Sequence, residues 1–285
     1  MKVIQDLFLD NPMMVEIKRF LRRFLGPRPG AQQAVAIALI IIAYVGLLAL
    51  FASVREIQPE TVIYVQLVLY CILLPAMLQG SVAGEREKRT WETLLAAPVT
   101  KAQIVVAKYA GAATGVVLIA VLMLPLWLVS SANKVDFDRY TANASEHPSP
   151  AMMVHAEIVA LTFGLALAAW CLFVSVRSRR TFSAQGMIYG SMALALIVWP
   201  MLVSSMGHVD WAIQILASPM HPFIVVASIL DRSERASSVH IWGLSTCLFL
   251  GFTVVMLVWA EYTLRFAEMD VRFIPRRHRA SNRQP

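Results

Sequence analysis

The chain has 285 residues, enough for one or two globular domains, but its composition excludes an ordinary soluble fold. Hydrophobic residues make up 58% of it and charged residues only 15%, so the excess apolar surface must face lipid rather than water. The net charge of +7 at pH 7 raises the question of nucleic acid, and the positions of the basic residues decide that question.

The first 30 residues are predicted to form a cytoplasmic segment that contains one interfacial helix. Within residues 11–25, apolar side chains recur at helical spacing and basic side chains lie between them. That pattern is typical of a helix lying along the inner leaflet, with its long basic side chains among the headgroups. Pro27 and Pro29 end this helix, and no cleavable signal peptide is apparent.

Six apolar runs of about 20 residues follow, each long enough to cross the hydrocarbon core as a helix. Alternating barrel-type strands are absent, and backbone groups in lipid must be satisfied within the segment, so the predicted class is an all-α membrane protein with six transmembrane helices. The predicted transmembrane domain covers residues 31–265, and a basic cytoplasmic tail covers 266–285. The six runs are residues 34–54, 62–79, 109–130, 151–176, 182–206 and 239–263.

The segment between the fifth and sixth predicted spans, residues 207–238, is semi-apolar and interrupted. It breaks at Ser218-Pro219 and again at His221-Pro222, and neither piece is long enough to span. We predict two short re-entrant helices that dip into the outer interface.

The distribution of Lys and Arg sets the predicted orientation. If both termini, the second-to-third loop and the fourth-to-fifth loop lie in the cytoplasm, most of the 25 basic residues are on that side. The predicted outer segments hold only Arg55, Lys134, Arg139, Arg232 and Arg235. The basic charge therefore follows from the topology of a multi-pass protein in the cytoplasmic (inner) cell membrane, and no nucleic acid is needed to explain it.

The loop between the second and third spans, residues 84–108, is longer than a plain connector between antiparallel helices requires. A mixed-charge cluster comes first, then Thr90 as the N-cap of a short helix over residues 91–97 that Pro98 stops. Thr100 and Gln103 form a capping box that begins the next helix.

The short helix places Trp91, Leu94 and Leu95 near one another, with Glu92 off that face. An exposed aromatic residue among charges suits docking to a cytoplasmic partner, because aromatic anchors supply contact energy and charges supply specificity. A helix that merely lies at the lipid surface would show the same pattern. The residues alone leave both interpretations open.

This segment resembles the permease subunits of the type-2 ABC transporter family. Those permeases carry an acidic cluster, a Thr-x-Glu, paired leucines and a proline between the second and third of six spans. The matching positions here are Glu85, Glu87, Thr90, Glu92, Leu94, Leu95 and Pro98. Arg89 stands where a glycine is common and Trp91 where a leucine is frequent, and the change at Arg89 leaves the start of the helix open.

The resemblance implies that the segment is a coupling helix seated in a groove of a separate ABC ATPase subunit. The amphipathic segment that begins at Asn11 resembles the family's elbow helix, and the broken stretch 211–230 resembles its extracellular re-entrant helices. The chain would then be half of a homo- or heterodimeric permease that exports a substrate through the membrane. It has no GxxxxGK[ST] motif, so ATP and Mg²⁺ would bind to the partner, and no cofactor would bind to this chain directly.

Two other functions compete with transport as interpretations of the sequence. An intramembrane enzyme would need catalytic groups converging at one depth, and the spans show none. A membrane scaffold that recruits a cytoplasmic partner without moving a substrate would share the docking helix, so sequence barely separates it from a permease.

Three polar side chains in or near the spans are candidates for lining a translocation pathway: Gln66, Glu157 and Gln185. Ionisable groups within membranes are functional candidates by default. The alternative is that Glu157 is solvated near the outer interface and that the glutamines hydrogen-bond between helices. The six histidines lack metal-binding spacing, so no metal site is predicted.

Overall fold

The computed structural model describes residues 31–53, 59–88, 99–140, 150–205, 218–230 and 235–272. The secondary structure within these ranges is helical and includes no strand, which confirms the all-α class. Three predicted segments lie outside the described residues: the elbow helix, the coupling helix at residues 91–97 and the first re-entrant piece.

The first half of the chain supplies five helices. They are α1 (Ala31–Ser53), α2 (Pro59–Leu78), α3 (Ala83–Glu87), α4 (Lys101–Tyr140) and α5 (Pro150–Arg177).

The second half begins with α6 (Thr181–Ala193), which continues through a π-helical turn at Leu194–Val198 into α7 (Trp199–Ser205). A 3₁₀ turn at Ser218–Met220 precedes α8 (Pro222–Leu230), and α9 covers Arg235–Arg272.

Five segments in the described part of the chain are long and apolar enough to cross a membrane, and they correspond to the second to sixth predicted spans. They are Glu60–Glu87, Lys101–Ser130, Ala151–Arg177, Thr181–Leu202 and Ile241–Arg265. The apolar stretch Ile41–Ser53 in α1 is shorter, so the first span stays a prediction. The chain is a multi-pass membrane protein.

Helix α5 is the centre of the bundle and packs against α2, α4, α8 and α9. Its stretch Ala151–Arg177 is the most buried of the five apolar segments, whereas α6 keeps large apolar side chains such as Phe182 exposed. Helix α1 also exposes large apolar side chains, among them Ile42. Surfaces of this kind face lipid or another subunit rather than water.

The helix that contains the third predicted span begins at Lys101, ahead of the span itself, where the capping box predicted its start. The capping box at its start is confirmed. The Thr100 N–H donates to Gln103 Oε1 at 2.9 Å, and the Gln103 N–H donates to Thr100 Oγ1 at 3.3 Å. Lys108 lies inside this largely apolar helix, where an ammonium group needs a partner.

His221 joins α8 to the π-helical turn. Its Nδ1 accepts a hydrogen bond from the Ile224 N–H at 3.3 Å, and its Nε2 lies 3.0 Å from the Leu196 carbonyl oxygen. Pro200, four residues after Leu196, has no N–H to bond that carbonyl as an α-helix requires. Because Nδ1 accepts, the proton lies on Nε2, and the imidazole supplies the donor that Pro200 lacks.

Candidate functional site

The short helix α3 follows α2 almost directly and lies against the ends of α5 and α6. A turn begins it, with the Ser81 N–H donating to the Leu78 carbonyl at 3.0 Å. The side chains of Lys108, Ser175 and Thr181, from three other helices, hold it in place. We name α3 and these three side chains the α3 junction.

Ser175 of α5 caps α3 from outside the helix. Its Oγ accepts hydrogen bonds from the N–H groups of Val82 at 3.1 Å and Ala83 at 3.2 Å, and donates to the Gln79 carbonyl at 2.9 Å. The first amides of a helix have no intrahelical partner, so a buried start such as this one requires an acceptor from elsewhere. Ser175 is fully buried and meets that requirement.

Changing Ser175 to Ala is expected to destabilise the protein by about 2 kcal/mol, because two buried N–H groups and one carbonyl lose their partner. Unfolding in mixed micelles measures the loss. Ser178→Ala is the matched control, since the one hydrogen bond of the Ser178 Oγ to the described residues is a weak one to the Met187 sulfur, at 3.8 Å. Equal stability of the two variants would show that Ser175 does not hold α3.

Glu85 forms an ion pair that ties α3 to α4. The Lys108 Nζ lies 2.8 Å from Glu85 Oε1 and also donates to the Ser81 carbonyl at 2.8 Å. The Lys108 side chain is 5% exposed and that of Glu85 is 29% exposed. An ammonium group buried to this extent requires a charged or strongly polar partner, and Glu85 supplies it.

Glu87 ties α3 to α6. Its carboxylate accepts hydrogen bonds from the Thr181 hydroxyl at 2.8 Å and from the Thr181 N–H at 3.3 Å. Thr181 is the first residue of α6, so the negative charge lies at the positive end of that helix. Arg86 in turn donates to the Ser178 carbonyl at 3.3 Å. Each charged side chain of α3 therefore bonds a neighbouring part of the same chain.

The predicted coupling residues divide into two groups. Glu85 and Glu87 lie together in α3 and bond side chains of their own chain. The others lie outside the described residues, and their role stays a prediction: Thr90, Trp91, Glu92, Leu94, Leu95 and Pro98.

Sequence analysis did not identify Lys108, Ser175 or Thr181 as parts of the site. The sequence does indicate Lys108 as a candidate, because a lysine close to an apolar run needs a polar or charged partner. It does not indicate Ser175 or Thr181, since serine and threonine in or beside apolar helices commonly bond their own backbone.

Two of the three pathway candidates meet inside the bundle. The Gln66 Nε2 donates to Glu157 Oε1 at 2.8 Å and to the Tyr70 hydroxyl at 3.1 Å, and that hydroxyl donates to the Val116 carbonyl at 3.1 Å. The network joins α2, α4 and α5, and Gln66 is 1% exposed. Gln185 lies apart from it, half-buried on α6. Over the ranges that the structure describes, no group of three or more His, Cys, Asp or Glu side chains could hold a metal ion.

These features define a class: a multi-pass helical membrane protein in which a short charged helix is fixed to the ends of several spans. Comparison with protein families matches residues 52–260 to the family described as ABC-2 family transporter protein. The match covers most of the chain and includes the whole α3 junction, so the chain belongs to the ABC-2 transporter family, as the residue pattern predicted. Comparison with curated proteins found no match. The chain is thus a permease component of an ABC transporter.

Proposed function

We propose that this chain is the permease half of an exporter driven by a separate ABC ATPase chain. The α3 junction is the observation that carries the proposal. It fixes the segment that leads into the predicted coupling helix, residues 91–97, to three different helices. A connector with no mechanical role needs no such attachment. ATP and Mg²⁺ bind to the ATPase chain, because this sequence has no GxxxxGK[ST] motif.

In the proposed mechanism, nucleotide-driven closure of the ATPase pair displaces residues 91–97. Helix α3 precedes that segment directly and moves with it. Because Lys108, Ser175 and Thr181 belong to α4, α5 and α6, movement of α3 shifts the ends of these spans together. Contiguous hydrogen bonds and ion pairs of this kind transmit displacement between sites.

The translocation path is proposed to lie between two permease halves, in a homo- or heterodimer. The exposed apolar face of α1 favours this position, because a second half can cover it. Gln66 and Glu157 bond each other within one half, which favours a packing role for them, while Gln185 on α6 stays the better candidate for the path. An apolar lining with scattered polar groups suits amphipathic or lipid-like substrates.

Changing Glu92 to Lys is expected to abolish co-purification of the ATPase chain, because the reversed charge opposes docking of the coupling helix. The measurement is the stoichiometry of proteins recovered from membranes in mild detergent, with ATPase turnover. We expect equal numbers of permease and ATPase chains for the wild type. Glu261→Lys is the control: Glu261 pairs with Arg265 on α9, and because the Arg265 side chain is 63% exposed, the pair contributes little to stability.

Wild-type recovery of the ATPase chain and wild-type coupled turnover in Glu92→Lys would show that residues 91–97 do not couple. A scaffold gives a different result: the partner is recovered, but its turnover is the same with and without the permease. That outcome would show that the chain recruits the ATPase chain as a scaffold and does not transport a substrate with it.

A further inference from the structure

A groove of about 570 Å³ lies between α5, α6 and α9. Trp170 and Phe173 of α5 and Trp259 of α9 form one wall, and Gly186 and Gly190 of α6 lie on the other side. The volume falls within the range of about 300–1,000 Å³ that is typical of ligand sites. Neither the ion pair of the α3 junction nor the Gln66–Glu157 network reaches it.

The aromatic wall is held by its own contacts. The ring centroids of Trp170 and Phe173 are 5.7 Å apart, and those of Phe173 and Trp259 are 5.3 Å apart. The Trp170 Nε1–H donates at 2.9 Å to the Oγ of Ser191, which also lines the groove, so the polar edge of the ring has its partner. Trp259 is 50% exposed. The wall thus presents a fixed apolar surface to whatever fills the groove.

The opposite side of the groove is open. A Cβ atom added at Gly186 or Gly190 would meet no atom within 4 Å. Helix α6 therefore does not pack closely against the aromatic wall at these positions. In a membrane such a gap fills with apolar matter, because wall atoms without neighbours lose their dispersion contacts.

One end of the groove is basic. Arg177, the last residue of α5, lines the groove, and Arg179 and Arg180 follow it in the same loop. All three are exposed, and no carboxylate is among the described residues that line the groove. Arginine binds phosphate oxygens through two parallel N–H groups, and basic pockets between membrane helices bind anionic headgroups.

We propose that this groove binds an anionic phospholipid from the surrounding bilayer. Its phosphate lies at Arg177, and an acyl chain lies along Trp170, Phe173 and Trp259. The groove is basic at one end and apolar along its length, and this matches the polarity of such a lipid. A second copy of the chain covering the groove with an apolar helix would instead bury Arg177 without a partner. The site goes beyond the proposed function, since lipid binding here needs neither an ATPase nor transport.

The test is to count phosphatidylglycerol and phosphatidylcholine retained by the full-length protein in native mass spectrometry. We expect the wild type to prefer phosphatidylglycerol. Arg177→Gln is expected to weaken that binding about fivefold, the contribution of one basic residue near an anionic headgroup. Gly190→Leu fills the groove and is expected to lower retention at least as much. Arg180→Gln and Gly251→Leu are matched controls and should bind as the wild type does, because Arg180 does not line the groove and nothing lies within 4 Å of a Cβ at Gly251.

Three results would overturn the proposal. The first is equal retention of both lipids by the wild type, which would leave no headgroup preference to explain. The second is weakening by Arg180→Gln as large as that by Arg177→Gln, which would reduce the effect to general attraction by a basic loop. The third is a crosslink, formed by oxidation in native membranes, between two copies of Gly190→Cys in a Cys247→Ser background, which would identify the groove as a subunit interface. Thermal melting of every variant confirms that each one folds.

Discussion

Replacing Lys108 with Met is expected to destabilise the protein by about 3 kcal/mol, because it leaves the Glu85 carboxylate without its counter-charge. The Ser81 carbonyl loses a hydrogen bond in the same variant. The expected loss of stability lies at the low end of the range for buried ion pairs, since the Glu85 side chain is 29% exposed and water can reach part of it.

A double-mutant cycle separates the ion pair from the loss of packing. Glu85→Gln alone leaves a buried ammonium facing a neutral amide and is expected to be nearly as costly. Adding Glu85→Gln to Lys108→Met removes the uncompensated charge, so the double variant should recover a large part of the lost stability. The free energy of unfolding is measured in mixed micelles. If the losses of the two single variants simply add up in the double variant, Lys108 and Glu85 are not coupled.

The same variants also test the relay. Neither Lys108 nor Glu85 belongs to the predicted coupling helix, so the ATPase chain should still co-purify with Lys108→Met. Stimulation of its turnover should nevertheless fall, because α3 is no longer fixed to α4. An unchanged turnover in a variant that folds less stably would limit the ion pair to a structural role.

The helices and the family could be predicted from the sequence because their signals are local. Apolar runs report spans directly, and five of them are long enough in the structure. The reciprocal bonds of Thr100 and Gln103 follow from two residue types at fixed spacing. The acidic and leucine pattern around Glu92 was enough for the family, which the match over residues 52–260 confirms.

The α3 junction could not be predicted because its contacts join residues far apart in the chain. Ser175 and Val82 are 93 positions apart, and nothing periodic relates a serine in one apolar helix to the first amides of another. The bond between His221 and the Leu196 carbonyl is similar, although Pro200 does signal that this carbonyl needs a donor. Pairing of this kind depends on how the helices pack and not on local propensity.

Replacing Gly164 with Leu is expected to destabilise the protein by about 3 kcal/mol, since α5 would have to move away from α2 and α4. A Cβ at Gly164 lies 2.8 Å from the Val116 Cγ1 and 3.1 Å from the Tyr70 ring. Tyr70 cannot turn aside freely: its side chain is fully buried, and its hydroxyl bonds the Val116 carbonyl. The hydrogen bond between Gln66 and Glu157 lies in the same packed region and would be strained as well.

Smaller substitutions sharpen the test. Gly164→Ala adds only the clashing atom and is expected to cost about 1 kcal/mol. Gly251→Ala on α9 is the matched control: nothing lies within 4 Å of its added Cβ, so it should be neutral or slightly stabilising through helix propensity. Val116→Ala removes the nearest clashing atom, and combined with Gly164→Ala it should recover part of the loss. If Gly164→Ala melts at the same temperature as Gly251→Ala, the close approach of α5 to α2 and α4 is wrong.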